Sequence, residues 1–153
     1  MKKRLLALTF LLPLGGGVIA GCGGGNTGTP DMAPACPTGG VTFTDIKASV
    51  FKVSCAFGSS CHGAGSTMGG LDLVTDPYKA LVNADSAWPQ AKTEGLKRVA
   101  PGDTAHSFTW IKVNLPSVND PKYGTRMPQT GQKLDASQLQ KLQCWIEAGA
   151  LNN

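Results

Sequence analysis

The chain has 153 residues, 41% of them hydrophobic and 16% charged, with a formal net charge of +4. That length suits one small domain with a tether and excludes a multidomain assembly. Lys2, Lys3 and Arg4 carry three of the four net positive charges, so the chain after them is nearly neutral. It has no basic run that would track nucleic acid.

Residues 1–21 read as a secretory signal. Three basic residues are followed by an apolar stretch from Leu5 to Leu14, interrupted by Thr9 and Pro13, and then by Ile19-Ala20-Gly21 before Cys22. This is a positive start, an apolar centre and a small-residue cleavage site. A spanning helix needs about 20 predominantly apolar residues, and Gly15-Gly16-Gly17 and Gly21 break the run. The Ile-Ala-Gly-Cys end resembles the lipobox of bacterial lipoproteins. The resemblance implies that Cys22 is the lipid-bearing first residue of the mature protein, held to a membrane by acyl chains worth ~0.8 kcal/mol per buried methylene. It places the domain in the cell envelope, facing the periplasm or the exterior. Gly23, in place of the aspartate that retains some lipoproteins at the inner membrane, points to the outer membrane.

Residues 22–40 are rich in Gly, Pro and Thr and read as a tether; residues 41–153 form the domain. Thr44-Asp45 opens a helix with Ile46, Val50 and Val53 on one face and Phe51 beside them, ending before Cys55. Residues 56–70 are loop, and Leu71-Asp72-Leu73 is a short extended piece. Asp76 caps a brief helix with Pro77 at its first position. Residues 84–103 read as irregular. Asp103 or Thr104 then caps a helix carrying Phe108, Ile111 and Leu115, and 116–131 is another loop. Asp135 and Gln138 form a capping box for a last helix, with Leu139, Leu142, Trp145 and Ile146 on one face and Gly149 near its end. The expected fold is a small all-α domain with long loops, and long loops in a compact domain are usually functional.

The chemistry gathers in two of those loops. Cys55 and Cys61 are followed by His62 and Gly63, and Arg126-Met127-Pro128 stands before the last helix. Covalent haem attachment requires two thiols for the vinyl groups and a histidine next to the second thiol, usually as C-x-x-C-H. A soft thioether from a distant loop can fill the opposite iron face. With Gly70-Leu71-Asp72-Leu73, Val99-Ala100-Pro101-Gly102-Asp103 and Trp145-Ile146-Glu147-Ala148-Gly149-Ala150 in the same order, residues 43–150 resemble the class I cytochrome c domains of exported bacterial proteins. The resemblance implies a cytochrome c-like fold with its first and last helices packed together. It implies Cys55 and Cys61 as thioether positions for haem c, and His62 and Met127 as axial ligands of the iron. The chain departs from the pattern in one respect: five residues separate the two cysteines, not two. Either Gly58, Ser59 and Ser60 bulge out, or Cys55 and Cys61 close a loop as a disulfide.

On the last helix Cys144 lies roughly 140° around from Leu139 at 100° per residue, away from the main apolar face. If the motif thiols carry haem, Cys36 is its natural disulfide partner. His106 reads as a surface residue, Arg126 as a haem-propionate partner or a solvated charge, and Met68 as too near His62 in sequence to cross to the opposite iron face. Zinc is poorly served by adjacent Cys61-His62, and no hydrolase motif is present. The expected function is a haem-binding electron-transfer lipoprotein, a carrier and not an enzyme, with a redox partner protein in the envelope. The alternative is a haem-free, cytochrome c-like structural or interaction lipoprotein closed by Cys36–Cys144 and Cys55–Cys61.

Overall fold

A computed structural model describes residues 35–66, 68–130 and 132–153. The expected signal peptide, the lipid site Cys22 and most of the tether, with Gly23, lie outside the described residues. The elements in chain order are α1 (Phe43–Ile46), a π-helical turn (Lys47–Phe51), α2 (Lys52–Ser54), a 3-10 turn (Met68–Gly70), α3 (Pro77–Leu81), α4 (Pro89–Thr93), α5 (Phe108–Asn114), β1 (Asn119–Asp120), β2 (Gly124–Thr125) and α6 (Ala136–Glu147). Among the described residues no helix is long and apolar enough to cross a membrane.

The first three helical segments run on as one helix over residues 43–54. Thr42 caps it: its hydroxyl accepts the Asp45 N–H at 3.0 Å, and the Asp45 carboxylate accepts the Thr42 N–H at 3.0 Å, so two otherwise unpaired amides are satisfied together. Phe43, Ile46, Val50 and Phe51 are buried. The sequence placed Val53 on that face, but it is 52% exposed. A π-helical turn takes more residues per revolution, so positions after it rotate away from the face that α1 established.

α6 supplies the facing surface. Asp135 and Gln138 form the reciprocal cap, and Leu142, Trp145 and Ile146 are buried. The Phe43 ring stacks on Trp145 with centroids 5.3 Å apart and meets Tyr78 edge-on at 5.2 Å. The Tyr78 hydroxyl donates to the Ala150 carbonyl at 3.0 Å, and the Trp145 indole N–H to the Leu151 carbonyl at 2.9 Å. Phe43 N–H donates to the Asn153 side chain and Thr44 N–H to the Asn153 carbonyl. The first helix is thereby held to α6 and to the strand of chain after it. Cys36 and Cys144 form a disulfide at a sequence separation of 108, on the side of α6 away from Leu142.

An all-α fold is corrected by β1 and β2, which pair antiparallel with Asn119 opposite Thr125 and Asp120 opposite Gly124. The reversal forms because the Asp120 carboxylate accepts the N–H groups of Lys122 and Tyr123 at 2.9 and 2.7 Å, the local bonding by which aspartate nucleates turns. Gly124 then takes the left-handed region at φ +73°. Residues 84–103 also differ from expectation. They contain α4, and the strip 97–100 makes single bridges to Val82, Asp85, Ser107 and Asp103. α5 starts after Ser107, because the Asp103 carboxylate is occupied by the His106 backbone N–H at 3.0 Å and the His106 ring at 2.6 Å.

Trp145 is the largest fully buried side chain. Trp145→Ala is expected to destabilise the domain by about 3–5 kcal/mol, measured by chemical denaturation of the disulfide-intact protein.

Candidate functional site

The first helix ends where the site begins. Cys55 N–H closes the last α-turn on the Phe51 carbonyl at 2.9 Å, and Ala56 N–H reaches the same carbonyl at 2.8 Å. The chain then folds back on itself. The Gly58 carbonyl accepts Cys61 N–H at 3.4 Å and Gly63 N–H at 2.9 Å, and the Cys55 carbonyl accepts His62 N–H at 3.1 Å. Residues 56–60 therefore form a closed bulge whose base brings Cys55 next to the Cys61-His62 pair. The small residues expected to bulge do so, with Gly58 at φ +59°. The closure depends on Gly63: a Cβ there would stand 2.4 Å from the Gly58 carbonyl oxygen.

His62 is oriented by the next segment. Its Nδ1 lies 3.2 Å from the Leu71 carbonyl, and its own carbonyl accepts Leu73 N–H at 2.9 Å. A carbonyl partner at Nδ1 selects the tautomer that leaves Nε2 as a lone-pair donor. The Leu71–Leu73 segment is itself held by Asp72, whose carboxylate accepts N–H groups of Gly65, Val74 and Thr75 and the Thr75 hydroxyl at 2.7–2.9 Å. These bonds, led by the Thr75 backbone N–H, hold the Asp72 carboxyl well below the usual range.

Cys55, Cys61, His62 and Met127 line one cavity of about 480 Å³, within the ~300–1,000 Å³ of small-molecule and cofactor sites. Leu71, Leu81, Phe108 and Leu142 supply much of its apolar wall. Among the described residues its charged side chains are Arg98 and Lys112, and no aspartate or glutamate lines it. Cys55 and Cys61 are unpaired thiols. Burial, reinforced by the neighbouring Cys61, pushes the Cys55 thiol up to about 12. Among the described residues no three His, Cys, Asp or Glu side chains gather closely enough to hold a metal ion. The cavity offers instead one imidazole with thiols and thioethers.

Met68 lines the same cavity as Met127. Met127 enters from the loop after β2, its N–H bonded to the Lys112 carbonyl at 2.9 Å. The Arg126 guanidinium donates to the Leu115 and Pro116 carbonyls at 3.3 and 3.4 Å. His106 is at the surface with Asp103.

Two lining residues escaped the sequence reading, Arg98 and Lys112. Arg98 donates to the carbonyls of Ala80, Gly69 and Gly70 at 2.9–3.0 Å, and so fastens the turn that carries Met68. Lys112 donates to the Tyr123 carbonyl at 2.9 Å and to that of Thr125, and its ammonium lies 5.3 Å from the centre of the Trp88 ring. Trp88 rests on Gly124, where a Cβ would come within 2.8 Å of the indole. Lys112 had a readable signal: it follows Phe108 by four residues, on the buried face of a short apolar helix. Arg98 had none, because its place is set by the bridges of its neighbours Lys97 and Val99, whose partners are distant in sequence.

Gly63→Ala is expected to cost about 1–3 kcal/mol of stability through forced movement of the Gly58 carbonyl, read as a lower denaturation midpoint. With a thiol near 12, roughly one Cys55 in ten thousand is thiolate at pH 8, and the thiolate is the nucleophile. Iodoacetamide is therefore expected to modify Cys55 in the folded, haem-free protein at least a hundredfold more slowly than in the unfolded chain, followed by peptide mass spectrometry.

No protein-family model, curated protein or solved structure matches the chain.

Proposed function

We propose that this chain is a membrane-tethered, single-haem c-type electron carrier of the cell envelope. The observation that carries the reading is the convergence of Cys55, Cys61, His62 and Met127 on one apolar cavity. The residues fit the group in three respects. The bulge closed by the Gly58 carbonyl absorbs the extra residues of the C-x5-C-H spacing and leaves both thiols unpaired. The Leu71 carbonyl fixes the His62 ring through Nδ1, the outer-shell bond that orients a ligating imidazole. Finally, a cavity with two cations and no acid suits an apolar body carrying carboxylates.

On this reading Cys55 and Cys61 would hold the haem covalently through their sulfurs, and His62 and Met127 would be the donors to its iron. Bound haem supplies a one-electron Fe(III)/Fe(II) couple, which a histidine–methionine pair shifts to higher potential. The protein's own work is to bind and to exclude water. Arg98 and Lys112 each retain a donor beyond their carbonyl bonds for the acidic edge of the group. The aliphatic and aromatic wall keeps the dielectric low, which favours the less charged reduced state. With both axial positions filled by side chains the role is electron transfer, and the partner is a redox protein of the envelope. The lipid at Cys22 would keep the domain at the membrane surface.

The test is the intact mass and pyridine haemochrome spectrum of the mature protein made in a host with haem-attachment machinery. A mass gain of one haem with a c-type α-band is the expected result. A mass four hydrogens below the reduced chain, with no Soret band, would mean two disulfides and no haem, and the reading falls.

A further inference from the structure

The end of the loop that presents Met127 is held by a residue of a different element. Lys112 lies in α5 and is 9% exposed. Its ammonium donates to the carbonyls of Tyr123 and Thr125, and its own carbonyl accepts the Met127 N–H at 2.9 Å. The carbonyls of Tyr123 and Thr125 and the N–H of Met127 all meet Lys112, on the side of the chain toward α5. The other side is taken by β1: Gly124 pairs with Asp120, and Arg126 N–H donates to the Val118 carbonyl at 2.7 Å. The hairpin alone fixes the chain only as far as Arg126. Met127 gains its anchor from α5.

We propose that Lys112 is the positioning residue for Met127, clasping the chain at 123, 125 and 127 so that the thioether is presented to the cavity. The inference rests on the haem-carrier reading for what the thioether does, but the clasp belongs to the folded chain. An ammonium on a flexible stem carries three donors and can serve two carbonyls at once. An apolar side chain of the same length would leave both carbonyls without that partner. The Trp88 face beneath the ammonium adds a cation–π contact that keeps the stem from swinging out to solvent. Lys112 thus acts through Met127 and not on the iron.

Lys112→Met keeps length and apolar volume and removes the donors; Lys112→Arg retains donors. Two measurements separate the possibilities. In the haem-free chain, amide hydrogen exchange at Met127 is expected to rise tenfold or more in Lys112→Met while the amides of α6 keep their protection. In the haem-loaded protein, Lys112→Met is expected to retain haem and lose the thioether-to-ferric-iron absorption band with a fall in reduction potential, the same change expected of Met127→Ala. Lys112→Arg is expected to keep the band. Unchanged exchange at Met127 in Lys112→Met would overturn the proposal. Equal loss of protection in α6 would overturn it too, since Lys112 would then serve general stability. If the wild-type chain takes up no haem, the electron-carrier reading fails while the exchange pattern still decides the role of Lys112.

Discussion

The stacking of Phe43 on Trp145 is the contact on which the rest of the structure depends. It joins the first turn of the chain's first helix to the last turn of α6, with Tyr78 closing the third side. Aromatic pairs of this kind add to what area burial alone supplies. Because the first helix is seated at its N-terminal end, its C-terminal end at Cys55 is carried to a fixed place, and the bulge and His62 follow from there. Because α6 is seated by the same contact, Leu142 forms part of the cavity wall. The cavity is what remains between these two helices and the material packed across their open side.

That material is irregular, and its order comes from polar groups. Asp72 holds the segment behind His62 with four bonds. Arg98 and Lys112 reach backbone carbonyls of two different segments, one at the Met68 turn and one at the hairpin before Met127. Charged donors make stronger bonds than neutral ones, and loops with little secondary structure need such partners for their buried carbonyls. The two thioether-bearing loops are thus fastened by the same device from different elements.

What was legible in the sequence were the features set by local chemistry. The Asp135–Gln138 cap, the Asp76-Pro77 helix start and the end of the first helix before Cys55 each depend on residues within a turn of one another. The bulge was legible in its composition: Gly58 takes the left-handed region, and at Gly63 a Cβ would meet the Gly58 carbonyl. Three features were not legible. The π-helical turn that exposes Val53 has no residue signature. The hairpin at 119–125 is two residues per strand, too short for an alternating pattern, although Asp120 with Gly124 marked a reversal. Arg98 reaches the cavity through bridges to Val82 and Asp85 that no window of sequence contains. The candidate site was therefore readable as a set of donors, and unreadable as a set of supports.

The disulfide has a mechanical meaning. The backbone enters the domain at residues 35–40, and the first helix begins only at Phe43, yet Cys36 is already bonded to Cys144 in the core of α6. A pull on any residue before Cys36 is delivered through that covalent bond to α6, in parallel with the short stretch that leads to the first helix. The first helix is shielded from being peeled away turn by turn, and load is shared across an element that is gripped along most of its length. For a domain pulled from its N-terminal side, resistance is then set by shearing α6 out of the core, a motion that must break many contacts at once.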